Sequence, residues 1–151
     1  MPSVPVAALQ DYVGKELGHS EWLTLEQSRV DRFAECTGDH QFIHVDAEKA
    51  RQTPFGGTIA HGFLSLSLIP ALSKGLLPVP EGLKMAVNYG LDSVRFIQPV
   101  AVGSRVRLGL ELLEVFEKKP GQWLLKARAT LEIEGQEKPA YVAETLSLCF
   151  V

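Results

Sequence analysis

The chain has 151 residues, 46 % hydrophobic and 22 % charged, the usual mix of one globular domain with its own core. With 15 Lys and Arg against 18 Asp and Glu, the formal net charge is −3, which lacks the basic excess that a phosphate backbone requires, so no nucleic-acid partner is expected. The two cysteines, Cys36 and Cys149, match neither a disulfide framework nor a zinc-ligand spacing and read as reduced thiols of an intracellular protein without a metal.

In chain order, Met1 to Gln10 has no basic stretch and no sustained apolar run, so no signal peptide and a cytoplasmic location are expected. Thr24 and Gln27 have the spacing of a capping box, and Val30, Phe33, Ala34 and Thr37 then share one helical face. Gly38 ends that helix as its C′ residue. A loop follows from Asp39 to Val45, Asp46 is placed to cap a short helix through Ala50 and Arg51, and Pro54-Phe55-Gly56-Gly57 is a forced loop. No Asp, Glu, Lys or Arg occurs between Arg51 and Lys74, but Pro54, Gly56, Gly57, Gly62 and Pro70 interrupt the stretch. Its apolar part, Phe63 to Leu72, is far shorter than the ~20 residues a bilayer demands, so no membrane partner is expected. Ile59 to Ser73 is apolar on nearly every face, the pattern of one long buried helix.

The period then changes. Met85 to Ile97 reads as a strand, and Val106, Leu108, Leu110 and Leu112 alternate with polar residues. So do Trp123, Leu125, Ala127, Ala129, Leu131 and Ile133, and Lys118-Lys119-Pro120-Gly121 makes the hairpin turn between the two runs. Gly135 to Lys138 turns the chain into a last strand from about Ala140 to Val151. A helix with no polar face must be wrapped, and a curved antiparallel sheet is the only large element available. The expected architecture is α+β: a single hot-dog domain over residues 1–151, its antiparallel sheet wrapped around one long buried helix.

Asp39 and His44 would lie on different sides of a continuous helix, but with the helix ended at Gly38 they hang from one loop. There a carboxylate and an imidazole can hold one water and exchange protons near neutral pH. Such a pair is suited to hydration or dehydration. The plainer reading is a turn aspartate and a hydrogen-bonded histidine. Gly57, Ala60 and Gly62 supply the other half of a site. Gly62 stands at a helix start, where backbone N–H groups lack intrahelical partners and can stabilise an oxyanion; its plainer role is close packing against the sheet. His61 reads as a residue that caps or packs at that helix start, His40 as projecting away from Asp39, and His19 as solvated. Ser65 and Ser67 lack a nucleophile elbow, and neither cysteine has a basic neighbour, so covalent catalysis has no candidate.

The stretch Phe33-Ala34-Glu35-Cys36-Thr37-Gly38-Asp39-His40-Gln41-Phe42-Ile43-His44-Val45-Asp46, followed by Phe55-Gly56-Gly57-Thr58-Ile59-Ala60-His61-Gly62, resembles the signature of the MaoC-like (R)-specific enoyl-CoA hydratases, above all their NodN-like branch. Arg95-Phe96-Ile97-Gln98-Pro99-Val100 followed by Gly103 is similar to the family's next strand. The resemblance implies a hot-dog fold with Asp39 and His44 as the hydratase dyad and the Gly62 N–H as oxyanion donor. It further implies addition of water to trans-2-enoyl-CoA to give (R)-3-hydroxyacyl-CoA, or the reverse. Many members carry Asn-Pro where this chain has Gln41-Phe42, so either Gln41 orients the site from a longer arm or that role is unfilled, and without the proline the loop is less rigid. Gln41, Phe42, Phe63 and Gly57 are the expected substrate-binding residues, with the acyl chain beside the buried helix. No cofactor is expected beyond the coenzyme A of the acyl-CoA substrate, and a homodimer would cover an exposed sheet edge. The alternatives are a 3-hydroxyacyl-carrier-protein dehydratase, a hot-dog thioesterase, and a non-catalytic acyl-thioester-binding protein that has no use for a proton-transfer pair.

Overall fold

In the computed structural model, which describes residues 3–151, the strands are β1 (Ser3–Val4), β2 (Glu16–His19), β3 (Leu23–Thr24), β4 (Val79–Pro80), β5 (Met85–Phe96), β6 (Arg105–Lys119), β7 (Gln122–Ile133) and β8 (Tyr141–Phe150). The helices are α1 (Gln27–Thr37), α2 (Phe42–Val45), α3 (Ala47–Arg51), α4 (Gly62–Ser67) and α5 (Ile69–Leu72), and a 3-10 helix covers Val6–Tyr12. The main sheet is antiparallel in the order β2-β6-β7-β8-β5, with β3 also on β6. β1 and β4 form a separate parallel pair.

The alternation in β6 and β7 sorts side chains onto two faces. Leu108 pairs with Leu131, Leu110 with Ala129 and Leu112 with Ala127, all buried. On the outer face Arg107 pairs with Glu132, and Arg128 with Glu111. A fully buried leucine contributes roughly 1.5–3 kcal/mol and an exposed ion pair about 0–1 kcal/mol, so the inner face holds the sheet. Gly121, at φ 73°, takes the left-handed conformation that the β6–β7 turn needs.

The sheet curls around α4, whose Leu64 packs with Leu68, Leu108, Leu131 and Tyr141 in the main core, joined by Val30 of α1. The central helix is shorter and less enclosed than its sequence suggests. It breaks between α4 and α5, because Pro70 has no N–H for the carbonyl four residues back and its ring crowds that turn. Nor is it buried all round, since Phe63 is 71 % exposed and Ser67 and Pro70 face outward. The expected Asp39 to Val45 loop contains the single turn α2, and Thr24 lies in β3 rather than at a cap. The residue before α1 is Glu26, with no side-chain cap, so the capping box does not form. The Val6–Tyr12 helix, which has no periodic signal, seats Leu9 in a second cluster with Leu112, Val115, Leu125 and Cys149. No helix among the described residues is long and apolar enough to cross a membrane.

Candidate active site

The site begins where α1 stops. Gly38 adopts φ 79° and its N–H reaches the Ala34 carbonyl at 2.8 Å, which turns the chain so that Asp39 starts a new direction. The Asp39 carboxylate then accepts the Gln41 N–H at 3.3 Å, a local turn that sets up α2. One turn later His44 points inward, 7 % exposed.

The ring of His44 is fixed by the segment that follows α3. Ile59 forms a bridge with Ala101, its N–H donates to the Ile43 carbonyl at 3.0 Å, and the neighbouring Ala60 N–H donates to Val100 at 2.8 Å. The Ile59 carbonyl is therefore a rigid acceptor, and it lies 2.7 Å from His44 Nδ1. A carbonyl only accepts, so Nδ1 carries a proton, and in the neutral ring the lone pair is then on Nε2. Gln27 braces the same turn: its amide donates to the His44 carbonyl at 2.7 Å, while its oxygen accepts from the Thr58 hydroxyl at 2.6 Å.

His61 sits directly before α4, only 2 % exposed, and makes no helix cap. Its ring stacks on His44, centroids 3.8 Å apart and planes at 25°, with Phe33 tilted against it at 4.9 Å. Its Nε2–H donates to the Asp39 carbonyl at 3.0 Å, and its buried Nδ1 has no partner. One donor atom each of Asp39, His44 and His61 lies within 4.8 Å of the others. This spacing suits a water held between carboxylate and imidazole.

Gly62 is the first residue of α4, where an N–H has no intrahelical acceptor. A Cβ there would lie 3.0–3.2 Å from the Phe96 ring, so the glycine also allows the close packing that is its plainer role. A cleft of about 450 Å³ opens beside it, lined by His44, Phe55, Gly62, Phe63, Phe96 and Tyr141 among others. A second groove of about 450 Å³ runs along α4 and α5 against β5, lined by Phe63, Leu66, Pro70, Tyr89, Leu91 and Leu146 among others. Phe63 borders both. Tyr141 anchors the floor: its hydroxyl donates to the Ser65 carbonyl at 3.3 Å, and burial pushes its pKa well above the ordinary value.

The fold thus brings the Asp39 carboxylate to the His44 ring and sets His44, Gly62 and Phe63 on one cleft, while Asp39 itself is exposed and is not among the residues lining that cleft. Gln41, Phe42 and Gly57 stand outside this cleft: Gln41 is the exposed residue preceding α2, Phe42 is partly exposed, and the space around Gly57 is open. His40 is exposed, as its position after Asp39 suggests. His19 ends β2, where it covers Gly109 and pairs with Glu132 at 3.2 Å. Sequence reasoning misses Phe55, Tyr141, the bracing by Gln27 and the place of His61 inside the site. Phe55 stands in the Phe55-Gly56-Gly57 stretch with no role given to it, Tyr141 has no signal beyond being aromatic near a turn, and Gln27 is assigned to the cap.

A hot-dog sheet around a short helix, with an aspartate beside a histidine that shares a cleft with that helix's first residue, defines a class of acyl-thioester proteins. The chain belongs to the MaoC-like dehydratase and hydratase family: the MaoC like domain matches residues 8–134. It is 48 % identical over 141 residues to 3-hydroxyacyl-thioester dehydratase Z of Mycobacterium tuberculosis, covering 93 % of each chain. It is 44 % identical over 149 residues to nodulation protein N of Rhizobium leguminosarum bv. viciae, covering 98 % of this chain and 92 % of the relative. Among solved structures, the R-hydratase PhaJ1 from Pseudomonas aeruginosa aligns with a TM-score of 0.74 at 27 % identity, over 97 % of this chain and 86 % of that one.

Proposed function

We propose that the protein is a hydro-lyase that interconverts trans-2-enoyl-CoA and (R)-3-hydroxyacyl-CoA. The observation that carries this reading is the convergence of the Asp39 carboxylate and the two imidazoles within 4.8 Å, with His44 held as a base by the Ile59 carbonyl. In the hydration direction Asp39 and His44 hold a water, and His44 Nε2 takes one of its protons as the oxygen bonds to C3. The electron pair of the double bond moves onto the thioester oxygen, where the Gly62 N–H meets it. Collapse of that enolate takes a proton at C2 from the dyad, so one water supplies both the hydroxyl and the hydrogen, and the pair ends as it began. Dehydration is the same path in reverse. The thioester itself makes the C2 proton acidic, so the chemistry needs no cofactor.

The groove along α4 and α5 gives the acyl chain a course away from the dyad, with Phe63 between the reacting centre and the tail. Gln41, Phe42 and Gly57, outside the cleft, are left with the rim, where the pantetheine arm enters. A homodimer is part of the same reading. Among the described residues β5 pairs only with β8 and ends the sheet, and it exposes Met85, Val87, Tyr89 and Leu91 beside the outward Phe63, an apolar edge that a second copy would cover.

The test is to mix the protein with crotonyl-CoA and longer trans-2-enoyl-CoAs and follow both the conjugated enoyl absorbance and free thiol. Loss of absorbance without thiol release is expected. Thiol release with no hydroxyacyl product would make the protein a thioesterase, and no change with any CoA ester but turnover of acyl-carrier-protein esters would move it to the carrier-protein dehydratases.

A further inference from the structure

We propose that His61 is a positioning residue that holds the two halves of the site in register, an inference that rests on Asp39 and His44 being the proton-transfer pair. Three contacts of this one residue span the site. Its Nε2–H grips the backbone carbonyl of Asp39 at 3.0 Å, so the carboxylate-bearing residue is tied down across 22 positions of sequence. Its ring lies flat on His44 at 3.8 Å and is backed by Phe33 of α1. Its own carbonyl is the next atom group before the Gly62 N–H, so whatever moves His61 moves the oxyanion donor.

Among the described residues no other contact does this work. The Asp39 backbone N–H reaches only the Thr37 hydroxyl, at 3.5 Å, and the carboxylate bonds locally to the Gln41 N–H. Asp39 is exposed and follows a glycine in the left-handed region, so without His61 its main chain is held by nothing across the site. His61 Nδ1, buried and unpartnered, shows that the ring is not serving a second hydrogen bond elsewhere. Only the Nε2 edge and the flat face are in use, and both are directed at the dyad. Nε2 is spent on the Asp39 backbone carbonyl, so the one hydrogen bond the ring makes positions Asp39 and leaves substrate to the dyad.

A displacement of about 1 Å in a reacting group can cost ~10²-fold in rate. His61→Phe keeps a flat ring of similar size but loses the donor. His61→Gln loses the ring but places an amide N–H where Nε2 stood. The Phe variant is expected to lose roughly 10–100-fold in kcat with KM within about twofold of the parent, and the Gln variant to recover most of that loss. In an Asp39→Asn background His61→Phe is expected to cost nothing further, since a residue that works through Asp39 has nothing left to position. Each enzyme is assayed on the same enoyl-CoA, with its melting temperature recorded; should the Phe variant not fold, His61→Ala serves as the donor-free comparison. Parent-like kcat in a folded, donor-free variant would overturn the proposal, as would a Gln variant no better than that donor-free one. Full activity of Asp39→Asn itself would overturn the dyad instead, which separates the two failures.

Discussion

Replacing Gly62 by proline removes the N–H that the proposed mechanism uses as its oxyanion donor. Proline is tolerated at the first position of a helix because the N–H it lacks has no intrahelical acceptor there, and Gly62 holds that position in α4. The preceding His61, at φ −58° and ψ 135°, already has the extended conformation that a residue before proline requires. The cost is steric: an added Cβ meets Phe96 at 3.0–3.2 Å, and that ring, half exposed, has room to move by a few tenths of an ångström. Reduced freedom of the unfolded chain returns about 0.4–1 kcal/mol, so the net change in stability is expected within ~1 kcal/mol, or about 2–4 °C in Tm. Gly62→Ala carries the same Cβ and keeps the N–H, so it measures the part of the steric cost that comes from Cβ. Loss of an oxyanion donor costs ~10²–10³-fold in kcat. The expectation is therefore a Pro variant slower than the Ala variant by about that factor, with both melting near the parent. Stopped-flow hydration of crotonyl-CoA gives kcat for all three, and folded Pro and Ala variants of equal kcat would refute the assignment of the Gly62 N–H.

Asp39→Ala and His44→Ala are each expected to lower kcat by ~10²–10⁴-fold, but they part in stability: Asp39 is exposed, whereas removing His44 strands the buried Ile59 carbonyl at about 1–3 kcal/mol, which thermal melts will separate. Phe63→Ala is expected to shift the kcat/KM optimum toward longer acyl chains between four and ten carbons, at about 0.8 kcal/mol per CH₂ newly buried; an unchanged profile would remove Phe63 from the acyl path. Leu91→Asp, on the exposed edge strand, is expected to turn a dimer into a monomer by light scattering. Burial tends to raise the Glu132 pKa, but the Arg107 guanidinium outweighs it and, with His19, holds the carboxyl below its ordinary 4.5; the stability it contributes is present above pH ~4.5 and lost as pH falls through the lowered value, so Glu132→Gln should flatten urea-melt stability across that acid window.

The long strands were legible because β6 alternates from Arg105 to Leu112 and β7 from Leu125 to Ile133, and a period of two has one structural meaning when one face is buried. Gly38 and Asp46 were legible for a similar reason: each closes or opens a helix through its own backbone or side chain, a property that needs no partner distant in sequence. The central helix was misread through Pro70. Apolar residues on every face argued for enclosure, but the outward Phe63 and Pro70 are apolar because they lie beside the exposed β5. Gln27 shows a second limit. Its spacing from Thr24 matched a cap, yet its side chain bridges to His44 and Thr58, contacts 17 and 31 residues away that no local pattern encodes. His61 was seen as a helix-start residue, and it is one; that its ring would lie on His44 depends on the bridge between Ile59 and Ala101, a long-range pairing absent from any single window of sequence.

The central claim, stereospecific hydro-lyase chemistry at the Asp39–His44 dyad, is tested most directly by offering (R)- and (S)-3-hydroxybutyryl-CoA separately and recording formation of the conjugated enoyl thioester. A dyad fixed on one face of the cleft should dehydrate the (R) ester, leave the (S) ester untouched, and lose that activity in Asp39→Asn. Dehydration of the (S) ester, or turnover of the (R) ester that persists in Asp39→Asn, would contradict the account.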